Sequence, residues 1–338
     1  MKIKINSTIV LLMVSLLLNS QEHPMETIKP SYLKQGDTVA IVAPSGVLND
    51  KLEEINRAKK LLELWGLKVV FGKNLFKNDY HFAGTDKERS NDFQEALDKQ
   101  NIKAIWSARG GYGSVRILDK LDFSEFKKNP KWIIGYSDIT AFHNHINNMG
   151  VETIHAMMPS GLGVEQEDIT ETITTFKKAI FGEKLSYEIP LSSYNRPIIS
   201  SNFSETIEGQ IIGGNLTILS SMLGSKSQIK TRGKILFIEE IGEYKYSIDR
   251  MLQSLKRAGY FDKLKGVLVG DISNVKKNTT KWGVSIEQLI LDVIPKELPI
   301  FFNFPAGHEK DNRALIFGRN IKIKNTKKNT VTINFDQK

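Results

Sequence analysis

The chain has 338 residues, a formal charge of +9 and no cysteine, which excludes a disulfide framework, a thiolate metal site and a cysteine nucleophile. Its length exceeds what one hydrophobic core usually serves, so two domains are expected, and 40% apolar against 25% charged residues excludes a mainly disordered chain. The basic excess is scattered, with small clusters at Lys276 and Lys277 and at Lys322, Lys324, Lys327 and Lys328. No nucleic-acid motif accompanies it, so it reads as solvated surface with a weak attraction to anionic envelope polymers.

In chain order, Lys2 and Lys4 precede an apolar run over 9–18, followed by Asn19, Ser20 and Gln21. This is the layout of a secretory signal peptide over 1–20, too short for a comfortable membrane span. The expectation is an exported protein, periplasmic or envelope-associated, with no stable membrane span. An uncleaved N-terminal anchor is the alternative, and a cytoplasmic location follows if the signal is not used.

A β-rich strand over 38–44, a helix over 52–64 ended by Gly66, and a strand over 67–71 make an opening βαβ unit. A helix over 85–99 and a strand over 102–107 follow, the latter running into Arg109-Gly110-Gly111-Tyr112-Gly113. A helix over 115–121, a strand at Trp132, Ile133 and Ile134, a helix to about Met149, a strand over 153–157 and a helix over 170–181 complete an alternating pattern. This argues for an α/β fold whose first part, 25–181, is a doubly wound, mostly parallel sheet with its ligand site at the carboxyl ends of the strands.

The polar, poorly periodic stretch 182–204 reads as a linker. A smaller, β-rich α/β domain over 205–338 is expected beyond it. Its strands are read at 206–212, 234–238, 266–269 and 300–304, its helices at 216–223, 248–258 and 286–293, and a terminal hairpin folds back at 325–329.

Ser137 sits at the strand-to-helix corner of Gly135-Tyr136-Ser137-Asp138. A serine becomes a useful nucleophile when held exposed beside a base, with backbone N–H groups facing the developing oxyanion, and such a corner supplies exposure and donors together. G-Y-S-D is not the G-x-S-x-G elbow, and taken alone it fits a helix cap better than a nucleophile.

Of six histidines, His23 adjoins the signal segment, His81 lies in a polar loop, His143 and His145 share a helix with Ser137, and His155 lies within a strand, where a satisfied core role is expected. His308 follows Pro305-Ala306-Gly307 directly after a strand, in a loop suited to function, although an ordinary turn residue fits there too. Glu239 ends an apolar strand on the face of Ile235 and Phe237, with Glu240 on the opposite face. Gly110, Gly111 and Gly113 form a loop that fits neither a P-loop nor a dinucleotide fingerprint but can approach a substrate carbonyl.

The chain resembles the LD-carboxypeptidases of serine peptidase family S66, the muramoyltetrapeptide carboxypeptidases, which are related to the microcin C self-immunity hydrolases. The resemblance is carried by GDTVAIVAPSG from Gly36, ARGGYGSVRILDKLD from Ala108, IGYSDIT from Ile134, GQIIGGNLTILSSMLGS from Gly209, ILFIEEIGEYKYSIDRML from Ile235 and FPAGHEKDNRALIFG from Phe304.

It implies Ser137 as nucleophile, His308 as base and Glu239 as the acid orienting it, with an oxyanion hole from the backbone N–H groups of Asp138 and of Gly110-Gly111. In the family motif the residue after the acid is usually Asp; here it is Glu240. The implied reaction removes the terminal D-alanine from an L,D-linked murein tetrapeptide through an acyl-enzyme, needing no metal or cofactor. Arg109 is a candidate for the substrate carboxylate, with a structural salt bridge as its other reading.

The partners expected are a murein peptide and no nucleic acid, with a homodimer left open. The alternatives are cleavage of a peptidyl-nucleotide antibiotic and, from another class, a non-catalytic exported solute-binding protein.

Overall fold

The computed structural model describes residues 27–163, 169–196, 206–326 and 329–337. The signal segment, His23, residues 197–204 of the expected linker, Lys327 and Lys328 lie outside the described residues. Among the described residues no helix is long and apolar enough to cross a membrane.

The first sheet contains β1 (Thr38–Val42), β2 (Lys68–Phe71), β3 (Ile102–Ser107), β4 (Trp132–Gly135) and β5 (Thr153–His155). They are parallel neighbours in the order 5-4-3-1-2. β1 and β4 are buried throughout, as strands covered on both faces must be.

The covering helices follow their apolar spacing. Leu52–Leu64 buries Ile55, Ala58 and Leu62. Asp86–Asp98 starts at a capping box in which the Thr85 hydroxyl accepts from the Glu88 backbone N–H and the Glu88 carboxylate accepts from the Thr85 backbone N–H. The strand order reverses between β1 and β3, and at such a switch point the loops leaving the carboxyl ends part to form a crevice.

The second sheet holds β6 (Ser186–Pro190), β7 (Thr206–Asn215), β8 (Ile235–Ile241), β9 (Gly266–Ser273), β10 (Ile300–Phe301), β12 (Asn320–Asn325) and β13 (Thr330–Phe335), in the order 10-9-8-7-12-13-6. The 10-9-8-7 half is parallel and the 7-12-13-6 half antiparallel.

Three expectations need correction. The stretch 182–204 contains β6, whose Tyr187 and Ile189 are buried while their neighbours are exposed, and which closes the edge of the second sheet on β13. β7 runs on through Gly213-Gly214 to Asn215, and β8 runs through Glu239-Glu240, because both carboxylates find partners inside the protein. A short strand unforeseen in the sequence, β11 (Leu315–Phe317), pairs antiparallel with β5, so the chain returns from its second half to finish the first sheet. One buried cluster accordingly spans both halves, with Trp106 and Trp132 from the first and Phe237, Phe304 and Phe317 from the second.

Candidate active site

The loops after β1, β3 and β4 meet at the carboxyl edge of the first sheet. Ser137 opens a 3₁₀ turn, Ser137–Ile139, that leads into the helix Thr140–Asn148. Its φ of 62° lies in the left-handed region, costly for a residue with a Cβ. The cap positions here are Tyr136 and Ile139 and neither uses its side chain, so Ser137 is not a helix cap.

Asp138 and Thr140 do not cap the helix with their side chains either. Asp138 turns away into the protein, and the Thr140 hydroxyl accepts from the Asn215 backbone N–H at 3.0 Å. That bond fastens the start of the helix to the end of β7. The approach is close enough that a Cβ on Gly214 would stand 2.3 Å from Thr140 Oγ1.

The Gly110 loop lies against the serine. A Cβ on Gly110 would stand 3.0 Å from Ser137 Cβ and 3.2 Å from its hydroxyl oxygen, so only glycine leaves this face of the serine clear. Gly111 follows at φ 102°. The Gly46 N–H donates to the Gly110 carbonyl at 3.0 Å, tying the β1 loop to the β3 loop. Arg109, half-buried, donates from Nη1 to the Val47 carbonyl at 2.6 Å, so its structural partner is a backbone oxygen rather than the carboxylate of a salt bridge.

The second sheet contributes the pair Glu239 and His308. The β8–β9 register is irregular between Ile238 and Glu240, and such a break re-aims a side chain. Glu239 is fully buried and its Oε2 accepts from His308 Nδ1 at 2.8 Å; its other oxygen has no partner among the described residues. Glu240 is occupied elsewhere: Asn215 Nδ2, the Thr217 N–H, the Thr217 hydroxyl and its neighbour Ile241 N–H all donate to it. Of the two neighbouring carboxylates, Glu239 faces the histidine.

Burial of the His308 ring works against its charge, yet the bond and charge of Glu239, aided by Glu240 and Asp271, outweigh it and raise its pKa above the ordinary imidazole value. Asp271 is itself pushed up to about 6, chiefly by burial.

The two halves meet at Tyr136, whose ring lies 4.9 Å from that of His308 at 65°. Tyr136 immediately precedes Ser137, so this contact brings the serine corner and the histidine loop together. An open cavity of about 520 Å³ adjoins the same loop, lined in part by Gly270, Asp271, Pro305 and Glu309. Among the described residues no group of three or more His, Asp or Glu side chains is arranged to hold a metal ion.

None of the other described histidines bonds Glu239. His143 is buried with Nε2 2.9 Å from the Gly135 carbonyl, and His145 Nδ1 bonds the Ser227 hydroxyl at 2.7 Å. His155 is a core residue as expected, but not a satisfied one, since both ring nitrogens lack a partner among the described residues. Burial lowers the pKa of His143 to about 4 and that of His155 well below the ordinary value. Sequence reasoning missed the contact of Tyr136 with His308 and the buried side chain of Asp138. The available signal was position alone: Ser45, Ser114 and Asp138 each follow a strand of the first sheet.

The sequence profile of the LD-carboxypeptidase N-terminal domain matches residues 39–156, and that of the C-terminal domain matches 208–323. The chain belongs to the LD-carboxypeptidase family. Ser137 falls within the N-terminal match, Glu239 and His308 within the C-terminal one. A probable murein peptide carboxypeptidase of Bacillus subtilis is 36% identical over 307 residues, covering 90% of this chain and 93% of the relative. The microcin C7 self-immunity protein MccF of Escherichia coli is 28% identical, covering 91% and 96%. The crystal structure of a muramoyltetrapeptide carboxypeptidase from Oxalobacter formigenes superimposes with a TM-score of 0.76 at 27% identity, over 88% of this chain and 98% of that one. As a member of the LD-carboxypeptidase family, the protein is a peptidase.

Proposed function

We propose that this peptidase is a serine-type LD-carboxypeptidase that releases the terminal D-alanine from L,D-linked murein tetrapeptides through an acyl-enzyme. The observation that supports the reading is that Tyr136, the residue before a serine at φ 62°, packs its ring against a histidine already bonded to a buried carboxylate. The names of the Bacillus and Oxalobacter relatives support the murein substrate.

Ser137 Oγ attacks the amide carbonyl while His308 Nε2 takes its proton. Glu239 holds Nδ1–H and stabilises the imidazolium that forms. The oxyanion is met by the backbone N–H groups of Asp138 and the Gly110-Gly111 segment, preorganised so that no solvent has to reorient during the step. The imidazolium then passes its proton to the departing D-alanine amine, and water, deprotonated by His308, clears the acyl-enzyme. Arg109 offers its remaining guanidinium N–H groups to the substrate carboxylate. Residues 1–20 act as an export signal, which places the enzyme in the cell envelope.

The test is D-alanine release from a purified murein tetrapeptide by wild type and by Ser137→Ala. The variant is expected to lose about 10⁴-fold or more in kcat while keeping its fold and its substrate binding. A fully active variant overturns the serine mechanism. Turnover of an acyl-sulfamoyl adenylate with none of the tetrapeptide overturns the substrate.

A further inference from the structure

The side chain of Asp138 has no part in the reaction as written above, which uses only its backbone N–H. It is nonetheless fully buried, next to the serine, in the middle of a bonded cluster. Its Oδ2 accepts from the Ser45 hydroxyl at 2.5 Å and from the Ser114 backbone N–H at 2.8 Å, and the Ser45 and Ser114 hydroxyls are 2.9 Å apart. Ser45 lies in the loop after β1, Ser114 begins the helix after the β3 glycine loop, and Asp138 lies in the corner after β4. One carboxylate oxygen of the β4 corner therefore ties in the loops after β1 and β3.

Arg89 encloses the cluster from beneath. Its guanidinium, also buried, donates to the carbonyls of Pro44, Gly113 and Gly84, one residue before Ser45 and one before Ser114. The Gly46 to Gly110 backbone bond closes the same arrangement on the side facing Ser137.

We propose that the Asp138 carboxylate is a positioning residue, which clamps the β1, β3 and β4 loops so that the Gly110-Gly111 donors and Ser137 keep their mutual placement. The inference rests on Ser137 being the nucleophile and Gly110-Gly111 serving the oxyanion. The physical need for such a clamp is visible at two points. Ser137 occupies a backbone region that an L-residue leaves unless its surroundings hold it. The Gly110 loop also lies close enough to the serine that a Cβ there would stand 3.0 Å from Ser137 Cβ, so the two loops are placed against one another. Donors in an oxyanion hole act through their fixed position, so a small displacement costs rate without costing binding.

What matters in this role is an acceptor at the Oδ2 position rather than the negative charge. Asp138 Oδ1 has no partner among the described residues, so an asparagine can keep both bonds on its one oxygen and set its amide where nothing now bonds. Alanine cannot. The experiment measures kcat and KM for D-alanine release with Asp138→Ala, Asp138→Asn and Ser45→Ala, each checked for fold by thermal melting.

Asp138→Ala is expected to lose about 10²-fold in kcat and Ser45→Ala about 10-fold, with KM within about twofold of wild type. Asp138→Asn is expected to recover most of the loss. If Asp138→Ala does not fold, Ser45→Ala, which removes the Ser45 bonds to Asp138 and to the Ser114 hydroxyl but leaves the carboxylate on the Ser114 N–H, decides. An Asn variant as impaired as the Ala variant overturns the clamp in favour of a role for the charge, and folded Ala variants with unchanged kcat overturn it outright. Should Ser137→Ala itself stay active, the underlying serine reading fails instead, a separate result.

Discussion

Ser137 is held at its corner by backbone geometry and by the Gly110 loop packed against it, whereas His308 is held by one side-chain hydrogen bond to Glu239 and a tilted contact with the Tyr136 ring. Both stand at the carboxyl ends of parallel strands, β4 and the β8–β10 group. The first region spends strain and close packing to fix a position; the second spends a buried charge to fix a tautomer. A site built by packing should fail when an atom is added. A site built by charge should fail when one charge is removed and the shape is kept.

The largest effect expected from breaking this contrast is at the charge. Glu239→Gln keeps the shape, removes the anion and lets the imidazole adopt the wrong tautomer, so kcat should fall by roughly 10³- to 10⁴-fold. Because Glu239 raises the His308 pKa, the free base is reached in wild type only above the ordinary imidazole value of about 6.5. In the Gln variant the acid limb of kcat/KM should move to lower pH, and a limb that stays in place refutes the pairing as its origin.

Next is the packing. Gly110→Ala sets a methyl 3.0 Å from Ser137 Cβ, and kcat should drop about 100-fold with little change in melting temperature. Activity within a fewfold of wild type refutes close approach as the reason for glycine there.

The smallest effect concerns acid stability, where two imidazoles of the site region carry opposite signs. The raised His308 contributes stability that is present in full below about pH 6.5 and lost as pH rises through its folded value. His143, buried and pushed down to about 4, works the other way: the unfolded chain takes up its proton first, so stability is lost as pH falls from about 6.5 toward 4. His143→Gln can still donate to the Gly135 carbonyl but cannot charge. Relative to wild type it should gain about 2 kcal/mol between pH 7 and pH 5, read by chemical denaturation at both. Parallel pH profiles for the two proteins refute the assignment.

The parts of the fold that were legible are those where burial alone decides the pattern. The helices Leu52–Leu64, Thr170–Phe181 and Ile286–Val293 and the strand Ile102–Ser107 fall where their apolar spacing sets them. The pattern gives out where a partner distant in the chain decides. β6 has two inward side chains, Tyr187 and Ile189, too few to announce a strand, and exists as one by pairing with β13. β8 carries two glutamates that look like the end of a strand until His308 and Thr217 are folded onto them.

At the site, the family resemblance named Ser137, Glu239 and His308, and the structure sets Glu239 against His308 and leaves Glu240 to other partners. The Asp138 side chain was not legible, because its partners Ser114 and Ser45 stand 24 and 93 residues away and are ordinary loop serines until the sheet gathers them.

The return of β11 to β5 has a consequence for how such a chain is made. The edge of the serine-bearing sheet is finished by a segment translated just after His308. During synthesis β5 stays open on one side until nearly the whole polypeptide has emerged, with an unpaired row of backbone donors and acceptors available to any passing strand. A product cut short before Phe317 therefore carries both the serine and that open margin, and its natural fate is association or proteolysis rather than an idle half-enzyme.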